Sequence, residues 1–302
     1  MNDWVMHLDA ASALLSSVDV PSIVFGSSPI SNSSEASCQL EHGAACDIPI
    51  ELLSDGEKSA FEFFLTLYTY VFITSAATLG LTPQSAQSIP RTRALYHKDQ
   101  SKLKDMLGCE DWVMLTILDI AVLKDWKQKM KISGTLSLRE LTRQADLIED
   151  RLNDWLATLA STKSSIKSFR EEQQRMVTDM YISAALVFLH VVVSGFYPDL
   201  PEIQQSVLQT LRALEYIREH SAINFPSWPF CVAGCLALES EYPRFRALVP
   251  PPKKGEHPLV MSKWTLEILE ECWSIRKSQS EGEETCSWVT AMNHLGTRLL
   301  LL

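Results

Sequence analysis

Apolar side chains recur at helical spacing along most of the chain, and the breaks between runs carry proline, glycine, serine or clustered charge. Between Asp3 and Val18, the positions Trp4, Leu8, Ala11, Leu15 and Val18 make one continuous stripe, which predicts an amphipathic helix. Residues 19–50 break the pattern: Gly26 to Ser37 is dominated by serine with glycine, proline and asparagine, a composition that cannot bury a core and predicts a flexible loop. Pro83 and Pro90 interrupt the chain, and Arg91 to Lys104 is a polar approach to the next element. There Trp112, Leu115, Leu118, Val122, Trp126 and Met130 form a second stripe. Ser137 and Glu140 have the spacing of a capping box, ahead of an apolar face on Leu138, Leu141, Ala145, Ile148, Leu152 and Trp155. Pro201 can begin a further helix with Ile203, Val207, Leu211, Leu214 and Ile217 turned inward. After the proline-rich stretch from Val249 to Pro258, read as an exposed loop, Val260 to Lys277 forms a helix around Trp264, Ile268, Leu269 and Trp273. The last helix runs to the end of the chain on Trp288, Met292, Leu295, Leu299 and Leu302.

Two runs are apolar on every side. Phe63 to Leu81 is nineteen residues without a charge, and Met180 to Pro198 is similar, with His190 inside it and Gly195 and Pro198 to end it. Their length reaches that of a membrane span. Hydroxyl residues interrupt the first, and no basic cluster flanks it closely, so both are read as central helices of a water-soluble core rather than membrane spans. No segment alternates with period two between hairpin signals. The expectation is an all-α fold, an irregular bundle of roughly eight to ten helices around two apolar central ones, as a single domain over 1–302.

The densest stretch is Pro226 to Cys235, PSWPFCVAGC. Ser227 can cap a short helix whose first turn tolerates Pro229, since the missing N–H there lacks a partner in any case. Gly234 inside an apolar run points to close approach of a neighbouring helix, because glycine there costs about 1 kcal/mol against alanine. Cys231 and Cys235, one turn apart, are read as core residues on one face.

Composition removes several function classes. A net charge of −10 argues against this chain gripping nucleic acid by itself. The one basic run, Lys124, Lys127, Lys129 and Lys131, is read as a solvated last turn that complements the helix dipole. Seven scattered cysteines show no framework spacing and are read as reduced thiols. The seven histidines never reach ligand spacing with one another or with a cysteine. No phosphate loop, dinucleotide fingerprint, nucleophile elbow or zincin motif occurs. His190, alone on an apolar helix, is read as a hydrogen-bonded core histidine. The adjacent acids Glu149 and Asp150, and Glu270 and Glu271, point to different helix faces. Catalytic residues, cofactor-binding residues and metal ligands are accordingly none.

Four motifs, in order, carry a resemblance. DWVMHLDAASALL from Asp3, GCEDWVMLTILDIAVLKDW from Gly108, the W-P pair with VAGC ending at Cys235, and the W-x-x-x-M-x-x-x-G of Trp288, Met292 and Gly296 follow one another along nearly the whole chain. Together they resemble the fungal-specific transcription factor domain of the acriflavine-sensitivity-control type, the helical regulatory region that accompanies a Zn₂Cys₆ DNA-binding module. The six clustered cysteines of that module are absent from this sequence. The reader of DNA is therefore expected either on an upstream segment or on another protein. The resemblance implies an all-α regulatory domain acting in the nucleus, with no enzymatic activity and no DNA contact of its own. It also implies control of a dedicated gene set, such as a secondary-metabolite cluster or a drug response. Partners implied are another transcription regulator or a second copy of this chain, and a small-molecule effector; a membrane is not among them. The competing reading is a helical small-molecule-binding protein or enzyme with a pocket between the two apolar helices near His190.

Overall fold

A computed structural model describes residues 3–16, 54–96, 103–161, 168–220, 225–249, 261–279 and 286–301. The expected loop at 19–50 and nearly all of the proline-rich stretch after Val249 lie outside the described residues. Those described form twelve α-helices and no strand: α1 (Asp3–Ser16), α2 (Asp55–Leu79), α3 (Pro83–Tyr96), α4 (Leu103–Leu107), α5 (Asp111–Ile132), α6 (Leu138–Ser161), α7 (Phe169–Ser194), α8 (Pro201–His220), α9 (Ser227–Gly234), α10 (Tyr242–Leu248), α11 (Met261–Ser278) and α12 (Trp288–His294). The fold is all-α, as expected.

The chain divides into two compact units, one of residues 1–69 with 83–102 and one of residues 70–82 with 103–302, so that α2 contributes a part to each. In the first unit α1 packs on α3. The Ser12 hydroxyl meets the Tyr68 hydroxyl at 2.7 Å, out of solvent beside Leu15 and Leu65. Leu15 is buried and Leu8 and Ala11 half-buried, as the stripe on α1 requires, while the side chains of Trp4 and Val18 lie outside the described set. A full capping box begins α2: the Ser54 N–H donates to Glu57 at 2.7 Å, and the Glu57 N–H donates to the Ser54 hydroxyl at 3.3 Å. Helix α3 runs through Pro90, which was expected to break the chain. An interior proline costs about 3 kcal/mol in an isolated helix, a preference that tertiary packing can override.

The second unit is built around α7. Of its apolar run, Met180 to Leu189, Val191 and Val192 are all buried, because α5, α6, α8 and α9 pack around it. Ser168 caps its start, and Gly195, at φ 96°, ends it with an N–H donated to the Val191 carbonyl. Both α2 and α7 are long and apolar enough to cross a membrane, but 78% of the apolar window of α7 lies inside the protein. The corresponding value for α2 is 56%, and Phe63, Phe64 and Leu67 are exposed on it. The expectation that neighbours surround both helices on all sides therefore holds for α7 and fails for the first half of α2.

Helix α8 turns all five expected residues inward. On α6, Leu141, Ala145, Ile148 and Leu152 are buried, whereas Leu138 and Trp155 are exposed. Trp155 stacks on Trp112 at 4.8 Å. The capping box at its start is half made: Glu140 donates its N–H to Ser137, but its carboxylate is taken by Arg143 and Gln144. The face of α5 differs from its expected stripe. Val113, Met114, Ile117, Ile120, Ala121 and Leu123 are buried with Leu118, while Trp112, Leu115, Val122, Trp126 and Met130 flank them. The last helix stops at His294, because Gly296 at φ 64° and the Thr297 N–H donated to Met292 make a glycine-terminated cap. Leu299 is thus outside the helix that was expected to run to the end of the chain.

Helix α9 is buried along its entire length. Ser227 does not cap it: Pro226 holds the cap position, no side chain bonds there, and Ser227 is the first helical residue. Trp228 stacks against Tyr181 and meets the edge of Phe188, both from α7. At Gly234 a Cβ would run into the Leu269 side chain, 2.8 Å from its Cγ, so α11 crosses where any added side chain must displace the buried Leu269. The same helix satisfies the end of α9: Trp273 Nε1 donates to the Gly234 carbonyl at 2.8 Å, and the Arg276 guanidinium donates to the Ala237 and Cys235 carbonyls. Gly234→Ala should therefore destabilise the protein by about 2 kcal/mol, although alanine is the better helix former. Urea unfolding followed by circular dichroism measures it, and an unchanged or raised midpoint would contradict the crossing described.

Candidate functional site

A cleft in the second unit opens between the C-terminal ends of two apolar helices, where the backbone leaves carbonyls without helical partners. Leu79 and Gly80 from the end of α2, Phe188, Val192 and Phe196 at the end of α7, and Trp288 of α12 give it apolar walls of about 490 Å³. Trp288 is held by its indole N–H, which donates to the Thr78 carbonyl at 2.9 Å. The rings of Phe188 and Phe196 lie 6.1 and 5.0 Å from that of Trp288.

The remaining side of the cleft is α5, and here the basic run departs from its expected place. Lys127 turns inward and donates to the carbonyls of Val192 and Val193 at 2.7 and 3.1 Å, capping α7 from a neighbouring helix. Lys124 also turns inward, its ammonium 5.6 Å from the centroid of Phe188 and 5.8 Å from that of Trp288. Burial lowers its pKa to about 8. The two are not a solvated helix end. Only Lys129, paired with Asp125 at 2.7 Å, and exposed Lys131 keep that role. The signal was in the register: Val113, Ile117, Ala121 and Lys124 follow one helical row, and Thr116, Ile120, Leu123 and Lys127 another.

His190 does not line this cleft. Its side chain is 12% exposed, and Nε2 lies 3.4 Å from a Glu149 carboxylate oxygen on α6. The cleft does lie between the ends of the two apolar helices and at the same end of α7 as His190, with Phe188, Val191 and Val192 in its lining, but the imidazole turns to another face of the helix, toward Glu149. The adjacent acids diverge as read: Glu270 pairs with Arg246 and Glu271 with His294.

Among the described residues the five cysteines are buried, and no three of the histidine, cysteine and acidic side chains could hold a metal ion. A binuclear zinc cluster does not fit them. Cys235 and Cys272 bring their sulfurs to 3.3 Å, a contact between α9's end and α11 that no spacing in the sequence announces. Burial pushes the Cys109 and Cys235 thiols up, and the hydrogen bond to Cys235 does so for Cys272. These are thiols without nucleophilic activation.

The described residues thus form an all-α body with an aromatic-walled, lysine-bearing cleft of the kind that receives small molecules. More narrowly, the chain belongs to the fungal specific transcription factor domain family, whose model matches residues 1–302. It is 30% identical to a trichothecene biosynthesis transcription regulator of Fusarium sporotrichioides over 99% of this chain and 68% of that protein. It is 32% identical to the ustiloxin B cluster transcription factor of Aspergillus flavus over 72% of this chain and 39% of that protein. It is also 28% identical to the transcription factor dibT of Pestalotiopsis microspora, over 99% of this chain and 50% of that protein. The chain thus spans from about two fifths to about two thirds of these relatives. No solved structure matches it.

The lysine in the cleft has a consequence for stability. A lysine whose folded pKa is depressed opposes folding at every pH below about 8, where both states carry the charge. As pH rises from about 8 toward the ordinary lysine value, the unfolded chain binds the extra proton and the penalty fades. Lys124→Met should therefore stabilise the protein by about 2 kcal/mol near pH 7, and the gain should shrink between about pH 8 and 10. The other charged groups on the cleft, Asp125, Lys127 and Lys131, are common to both proteins and cancel in the difference. Paired thermal or urea unfolding across that range checks it. A Lys124→Met protein less stable at neutral pH, or a pH-independent difference, would refute the burial of this charge.

Proposed function

We propose that this chain is the regulatory body of a fungal transcription regulator that controls a secondary-metabolite gene set from the nucleus. The observation that carries the reading is the match of the whole chain to a regulatory family in which two relatives are named for the trichothecene and ustiloxin B biosynthetic clusters. Three observations agree with it. The −10 charge is unsuited to gripping a phosphate backbone, so sequence-specific contact with DNA falls to another segment or another protein. The relatives this chain matches are named as transcription regulators and factors, which supports a body that is bound rather than one that catalyses. The exposed Phe63, Phe64 and Leu67 on α2 are the kind of side chain that association with a partner regulator, or with a second copy, would cover.

Deletion of the gene in its host, followed by transcript profiling, tests the reading. The expected result is a coordinated change confined to one contiguous set of biosynthetic genes, restored by a tagged copy that accumulates in the nucleus. A transcriptome unchanged under conditions where the protein is made would overturn it, as would a tagged protein that complements from outside the nucleus.

A further inference from the structure

From the cleft at the ends of α2 and α7, we infer that the protein binds a small aromatic organic anion there, with a carboxylate or similar group on Lys124 and the ring system against Leu79, Leu81 and Phe196. The inference starts from charge. In a chain of net charge −10, the cleft is lined by three lysines and one aspartate. The aspartate is engaged by Lys129 at 2.7 Å, and Lys127 is engaged by two backbone carbonyls. Lys124 has no acidic or hydrogen-bonding partner among the described residues, only the faces of two aromatic rings. Ring faces moderate the cost of a desolvated ammonium but do not neutralise it. An anion in the cleft would, and in surroundings of low polarity such a pair is strong when geometry and hydrogen bonds are complete.

The walls set the rest of the ligand. A volume of about 490 Å³ falls in the range of small-molecule sites, which join apolar and aromatic walls to a few polar groups that fix orientation. Trp288 is fixed by its bond to Thr78 and, like Phe188, is almost wholly buried, so the floor of the cleft is set before a ligand arrives, and half-buried Leu79, Leu81 and Phe196 are the surface left to meet it. A purely apolar ligand would leave Lys124 without a counter-charge, and a cationic one would meet three lysines. As an effector site this rests on the regulatory reading above. The binding itself does not, and it is tested on purified protein without any transcript.

The probes are 2-naphthoate and its uncharged counterpart 2-naphthamide, titrated calorimetrically into the full chain. Naphthoate should bind about tenfold more tightly than naphthamide, and Lys124→Met should remove that advantage while leaving naphthamide affinity within about twofold. Lys104→Met, a surface lysine paired with Glu110 and absent from the cleft, should change neither. Equal affinities for the two probes, no naphthoate binding at millimolar concentration, or a preference that survives in folded Lys124→Met would each overturn the site. Should that variant not fold, the indole N–H resonance of Trp288 in the unmodified protein decides: it must shift on adding naphthoate, and an unmoved resonance refutes the assignment. Naphthoate binding in a protein whose deletion leaves transcripts unchanged would sink the regulatory reading alone.

Discussion

The second unit depends on how a single eight-residue helix is closed off in the dark of the core. A helix that short leaves as many backbone groups unpaired at its ends as it pairs within, and α9 is buried throughout, so water cannot take them. Helix α11 supplies the missing donors from two side chains one turn apart. Trp273 serves the Gly234 carbonyl and Arg276 serves Cys235 and Ala237. The arrangement works because Gly234 carries no side chain: Leu269 occupies the space, and the two helices come close enough for an indole and a guanidinium to reach backbone. Stacking of Tyr242 on Trp273, and Arg246 over the same ring, lock the donor in orientation. Leaving such carbonyls unpaired would cost about 1–3 kcal/mol each, a large part of a domain's net stability.

With α9 fixed, Trp228 stands against Tyr181 and Phe188, and the position of α7 follows. From Met180 onward helix α7 has no polar face to orient it, so the packing of that part is set by what surrounds it rather than by a boundary with water. Phe188 is the shared member: one edge meets Trp228, another side meets Trp288, and Lys124 sits over its ring. The cleft is therefore continuous with the buried aromatic cluster. Its geometry is inherited from the same contacts that hold α9.

Much of this was legible in the residues and some was not, for identifiable reasons. The inward row of α8 was legible because its opposite face is polar, which makes the period unambiguous. Gly234 as a crossing point was legible because a glycine in an apolar run needs a reason. The face of α5 was misjudged because tryptophans and leucines occupy its flanks as well as its centre, and large residues drew the stripe away from the smaller Val113, Ile117 and Ala121 that are in fact most buried. Once the row is displaced, Lys124 and Lys127 are assigned to solvent, and the cleft vanishes from view. Pro90 and the end of α12 show the two directions of error: a proline that packing tolerates, and a leucine run that Gly296 prevents from continuing as helix. Contacts such as Cys235 with Cys272, or Trp288 with Thr78, join residues far apart in sequence and have no local signature.

A buried row that ends in two lysines raises the question of why those positions are charged. For Lys127 the answer is structural, since it completes the carbonyl end of α7, and an apolar residue there would leave those groups unmet. No such answer exists for Lys124. A methionine would fill the same row, lie against the same rings and avoid the desolvation of an ammonium. Proteins tolerate local departures from the stable choice chiefly where a site makes use of them. The cleft also lies where the ends of α2 and α7 meet Trp288: Trp288 is tied to the end of α2 through the Thr78 carbonyl, and the end of α7 is tied to α5 through Lys127. A charge brought into that space acts on all of them at once. A ligand neutralising Lys124 would tighten the junction from which the aromatic cluster, and through Trp228 the buried α9, takes its position.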